Sequence, residues 1–246
     1  VNYMQPNPYA ATYDADTMMA AWASEDARVG FIRRTYLHLA GAIGLFALLE
    51  GMIFTLVPAE TLENLMGSLL SFRYSWLIVM AGFVGVSWLA NSWATSATSQ
   101  AMQYAGLLLY VLAETVIFVP LLFIANQVAP GAIGSAGLLT LIIFGGLTAI
   151  VMVTRTDLTS WGKYLWFGGL AALGLVVAAV VFNFSLGVWF SGAMIALSGA
   201  YILYDTSNVL HNYRTNQHVA AALALFASVA LMFWYILRLF IALRDR

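Results

Sequence analysis

Three polar side chains, Ser191, Ser198 and Asp205, recur seven residues apart within the otherwise apolar stretch 191–206. On a helix they fall on roughly one face. A charged side chain inside a bilayer costs about 2.5–3.5 kcal/mol on insertion scales, so that face is expected to turn towards the protein interior or water. An acid so placed suits a proton relay or an ion pathway. Two further carboxylates, Glu50 and Glu114, also interrupt apolar runs. Each is read either as an auxiliary acid or as a structural acid bonded to a neighbouring helix. Pro120 follows Glu114 by six residues and removes a backbone donor, leaving the Val116 carbonyl without its helical partner; a kink there is read either as space opened beside Glu114 or as shape alone. Gly192 and Gly199 give the Asp205 helix a shallow side for close approach of another helix.

Other chemistries find little support. There is no cysteine, hence no disulfide, thiolate metal site or cysteine nucleophile. The histidines are three, His38, His211 and His218: the last two share a loop, the first is distant, and each is expected to be solvated. No zinc-protease, phosphate-loop or serine-histidine pattern occurs in the apolar runs. The expectation is a non-enzyme with no cofactor and no metal centre. A net charge of −1 gives no basic footprint for nucleic acid.

The elements that must position these acids are long apolar helices. With 62% hydrophobic residues, 9% charged residues and a mean hydropathy of +0.86, the chain reads as an integral membrane protein. Long apolar runs exclude a β-barrel, and backbone groups in lipid must then be satisfied within helices. The fold class is all-α and polytopic. Seven spans are predicted over 31–57, 76–94, 101–125, 131–153, 164–182, 186–206 and 219–242. Residues 58–74 read as a polar loop in water. Gly131, Gly134 and Gly137 form a small-residue strip suited to helix contact, and tryptophans 76, 93, 161 and 189 near span ends resemble an interfacial belt.

Residues 1–28 are polar and read as a mobile tail rather than a signal peptide, preceding a transmembrane domain over 29–246. Met18, Met19 and Trp22 make an apolar patch there, expected either to contact a membrane protein partner or to lie over the chain's own membrane domain. Seven spans place the termini on opposite sides. Arg28, Arg33, Arg34, Arg155, Lys163 and Arg214 then share the N-terminal side, against Arg73, Arg238, Arg244 and Arg246, which favours a cytoplasmic N-terminus. A re-entrant last segment would instead put both termini in the cytoplasm.

Three stretches resemble the transmembrane Bax inhibitor motif family, including its bacterial YccA-like members. They are Phe31-Ile32-Arg33-Arg34-Thr35-Tyr36, the run 198–206 ending in Tyr204-Asp205-Thr206, and Tyr235-Ile236-Leu237-Arg238. The resemblance covers about residues 31–240, and Tyr204-Asp205 is its most specific piece. It implies a seven-helix fold with the last helix at the centre, an inner-membrane location and, in some members, a pH-sensitive calcium leak worked by two aspartates sharing a proton. Asp205 matches the first aspartate. The second falls at Ser228, a hydroxyl that can donate one hydrogen bond to Asp205 but adds no second charge.

Two functional expectations follow. One is a proton-sensitive leak for calcium or another cation, with Asp205 as gating acid, Ser198 on its helix face, Ser228 on the last helix, and Glu50 or Glu114 supplying the missing acid. The other is a non-conducting regulator within a larger membrane complex such as a membrane protease.

Overall fold

A computed structural model describes residues 18–72, 74–96 and 99–244. Arg73, Arg246 and residues 1–17, including most of the expected tail, lie outside the described residues. Among the described residues eight α-helices follow in order: α1 (Glu25–Leu56), α2 (Ala59–Ser71), α3 (Ser75–Ala94), α4 (Gln100–Val128), α5 (Ala132–Thr154), α6 (Gly162–Phe182), α7 (Gly187–His211) and α8 (His218–Arg244). All but α2 are long and apolar enough to cross a membrane, which makes this an all-α, multi-pass integral membrane protein.

Helix α8 is the axis of the bundle. Of its most apolar window 72% is buried, against 50% for α4 and at most 33% for the others. It packs on α7, α1, α5, α4 and α3. Lipid tails are as apolar as these side chains, so close packing rather than a hydrophobic drive holds such helices together. The sequence of α8 provides for both ends of that task. Ala220, Ala221 and Ala222 are buried and let neighbours approach, while larger rings fill the wider part. Phe233 stacks on Phe118 of α4 with centroids 5.5 Å apart, Trp234 stacks on Trp76 of α3 at 6.0 Å, and Phe226 meets Phe46 of α1 edge-on at 6.1 Å. Trp76 thus faces the bundle rather than an interfacial belt, whereas Trp189 is 91% exposed.

The last segment, for which a re-entrant form is the alternative, is long enough to cross a membrane once. Twenty-seven residues of unbroken helix span about 40 Å at the α-helical rise. Arg244 at its end donates to the Pro130 carbonyl in the α4–α5 turn, 3.1 Å away. The beginning of α8 lies at the opposite end, where the Thr215 amide donates to the Met18 carbonyl at 3.0 Å.

Other differences from expectation have local causes. Helix α1 begins at Glu25, inside the stretch read as tail, because the Ser24 side chain caps it by accepting from the Ala27 amide, and Glu25 and Asp26 suit the positive end of the helix dipole. The polar loop over 58–74 holds the short helix α2, whose Leu62 and Met66 are buried against Val119 of α4. Charged residues at Glu60 and Glu63 mask that one-sided pattern in the sequence. The Gly134 and Gly137 strip is not a helix contact: nothing lies within 4 Å of where their Cβ atoms would be. The same holds for Gly192, whereas Gly199 does sit close to Leu147 of α5 and Met232 of α8. The tightest approach is elsewhere, at Gly106, where a Cβ would stand 2.5 Å from the backbone of Ala90 and Ala94 on α3.

Candidate functional site

Asp205 lies six residues before the end of α7, only 8% exposed. The Ser228 hydroxyl on α8 donates to its Oδ2 across 2.5 Å. The expected bond between these two residues therefore forms, inside the bundle and between its two most closely associated helices. Tyrosines crowd the same acid. Tyr36 of α1, Tyr201 of α7 and Tyr213 of the α7–α8 loop all lie within its electrostatic reach. The Tyr213 hydroxyl, outside the spans, is pushed well above the usual tyrosine range, by burial first and then by Asp205 and Tyr204. It therefore stays protonated.

The hydroxyls of Tyr36, Thr148 of α5 and Thr206 form a second group beside the acid. All three oxygens are buried, and the Tyr36 hydroxyl faces those of Thr148 and Thr206. Sequence reasoning passed over them, because a lone Thr or Tyr in an apolar run looks like packing. Tyr36 and Thr206 do carry a signal, through their places in the Phe31–Tyr36 stretch and the run 198–206, whereas Thr148 carries none.

The end of α7 just beyond Asp205 is clamped from two sides. Ser207 Oγ accepts from the Leu158 amide at 2.8 Å and donates to the Thr156 carbonyl at 3.2 Å, which docks the α5–α6 loop. In that loop the exposed Asp157 carboxyl is held below its usual range by hydrogen bonds from Thr159. On the other side the Ala20 amide donates to the Tyr213 carbonyl at 2.8 Å, and Ala20 itself is fully buried. The described end of the tail thus lies over the chain's own membrane domain, leaving Trp22 81% exposed.

Ser228 also lines a cavity of 430 Å³ between α3, α4, α6, α7 and α8. Glu114 lines the same cavity, as do Tyr110, Tyr201 and Arg238. Helix α4 continues through Pro120 as one helix, and Glu114 faces the cavity one turn beyond Tyr110. The guanidinium of Arg238 stands over the Phe190 ring, 6.0 Å from its centre.

The remaining candidates are apart from this group. Ser198 is fully buried, and its hydroxyl donates to the Ile195 carbonyl of its own helix at 2.8 Å, so it offers Asp205 nothing. Glu50 lines a different cavity, of 540 Å³, between α1, α4, α5 and α8. The histidines depart from expectation: His218 is only 2% exposed and its ring lies 4.9 Å from that of His38. They meet because α1 and α8 run side by side, which the separation of 180 positions concealed. Among the described residues there is no group of three or more His, Asp or Glu side chains placed to hold a metal ion.

Chemically, Asp205 and Ser228 differ from a pair of acids. Two adjoining carboxylates resist joint ionisation and share a proton. A serine hydroxyl can donate to a carboxylate or accept from the neutral acid. Ser228 therefore remains a partner in both states of Asp205, and the contact by itself does not spring apart.

The fold and this site define a class: multi-pass helical membrane proteins in which a buried acid on the penultimate helix is bonded to a central last helix. The chain belongs to the family described as Inhibitor of apoptosis-promoting Bax1, whose model matches residues 28–245. No curated protein sequence matches it.

Proposed function

We propose that this chain is a proton-sensitive leak pathway for cations, calcium foremost, with Asp205 as the gating acid. The observation that carries this reading is the position of Ser228, which bonds Asp205 at 2.5 Å and also lines the cavity containing Glu114. The hydroxyl connects the gating acid to a second acid on α4, the part that a neighbouring aspartate on α8 would otherwise play. Protonation of Asp205 removes its charge and its attraction for a cation; ionisation restores both. Glu114 supplies the second carboxylate for an ion passing the cavity, and Arg238 is the opposing charge that limits flux. Glu50 faces another cavity and has no part in this pathway. Six of ten basic residues on the N-terminal side support a cytoplasmic N-terminus, and the resemblance to the YccA-like members supports a bacterial inner membrane.

The test is calcium flux into liposomes holding the purified full chain. Flux above that of protein-free vesicles, reduced about tenfold or more in Asp205→Asn, supports the pathway. Equal flux in both proteins removes it.

One observation favours a second reading, a non-conducting regulator. Trp22 is 81% exposed and Met19 47% exposed on a segment fixed by backbone hydrogen bonds to the α7–α8 loop. An aromatic anchor on a rigid support suits a protein partner. Liposomes silent at every pH, together with a stoichiometric membrane complex lost in Trp22→Ala, would establish that role instead.

A further inference from the structure

The acid not used by the proposed pathway has a setting of its own. Glu50 is 6% exposed, and both of its carboxylate oxygens are buried without a hydrogen-bond partner among the described residues. A buried acceptor left unmatched is costly, and a charged one more so. The 540 Å³ cavity that it lines falls within the roughly 300–1,000 Å³ of small-molecule sites. Four phenyl rings, Phe46, Phe54, Phe226 and Phe233, line the same space. Ring faces attract cations, and desolvated ammonium groups most strongly. An unmatched carboxylate among four phenyl rings is complementary to an organic cation rather than to a neutral or anionic molecule.

The way in and the depth narrow the class further. Helices α1 and α5 flank the cavity without packing along one another, and the exposed Ala47, Gly51 and Leu141 lie on its rim, so it opens sideways towards lipid. Glu50 is six residues from the end of α1, and Asn126, also lining the cavity, is two from the end of α4. The polar groups are thus near the membrane surface, while Ile43 and Val229 carry the lining inwards. A ligand with its charge at the interface and its apolar part deeper fits that gradient.

We propose that this cavity is a binding site for lipophilic amines, with Glu50 paired to the ammonium group and the phenyl rings enclosing the carbon next to it. The site is independent of the Asp205 pathway. The experiment uses the full chain in lipid nanodiscs and tritiated dodecylamine, with empty nanodiscs as background and dodecanol as a competitor of equal chain length. Saturable amine binding is expected, with dodecanol competing about tenfold more weakly than unlabelled amine. Glu50→Gln abolishes that preference. Gly137→Leu, which fills the cavity from a position with nothing within 4 Å of its Cβ, lowers amine binding about tenfold with the carboxylate intact. Non-saturable binding, equal competition by the alcohol, or wild-type binding by the Gly137→Leu protein would overturn the proposal.

Discussion

Ser228 on α8 donates a 2.5 Å hydrogen bond to Asp205 on α7, and both residues are more than nine-tenths buried. The bond joins the central helix to its principal neighbour, two residues before the Ser207 hydroxyl that holds the α5–α6 loop on α7. Ser228→Ala leaves that carboxyl without its donor in a place that water reaches poorly. A loss of about 1 kcal/mol is expected, the usual scale for an interhelical hydrogen bond in a membrane. Reversible unfolding in mixed micelles would measure it, and unchanged stability would mean that another donor replaces the hydroxyl.

Ser228→Asp converts the contact into two carboxylates in one buried site. Two such groups share a proton and titrate as a pair. Calcium flux in this variant should depend more steeply on pH than in the natural chain. A flux-pH curve that overlays the wild type would show that an acid at this position does not act on the gate.

Arg238 places a fixed positive charge in the cavity that holds Glu114 and Ser228. Positive side chains in a pore act as electrostatic barriers to cations. Arg238→Gln should therefore raise calcium flux severalfold with little change in its pH midpoint. A fall in flux would assign Arg238 to packing on Phe190 instead.

Gly106 is where α4 comes closest to α3. A methyl group there would stand 2.5 Å from Ala90 O and Ala94 N, backbone atoms that cannot swing aside. Gly106→Ala should destabilise the protein by about 1–3 kcal/mol, the range for overpacked sites. Gly134→Ala, with open space around it, serves as the comparison and should change stability little. Equal melting temperatures for the two variants would contradict the packing described here.

Much of the architecture was legible because a bilayer simplifies the pattern: long apolar runs give seven spans, and the seven-residue spacing of Ser191, Ser198 and Asp205 gives a buried face. Ser191, Ser198 and Asp205 are all buried. What a helical face cannot reveal is what stands opposite it. Tyr36 and Thr148 reach the Asp205 region from α1 and α5, and His38 meets His218 across 180 positions of sequence. Glu50 and Glu114 look alike in the chain, yet α8 separates their cavities, which share Ala230 in their linings. Helix α2 is hidden in the sequence because thirteen residues with two glutamates resemble a water-exposed loop until Leu62 and Met66 find Val119.

The central claim is that the ionisation of one buried acid controls cation passage. Calcium uptake by liposomes with the same protein content, followed across a series of pH values for the natural chain and for Asp205→Asn, tests it most directly. Uptake should rise with pH in the natural chain, as Asp205 gains its charge, and stay low and flat in the variant. A variant whose uptake follows pH as the natural chain does would contradict the account.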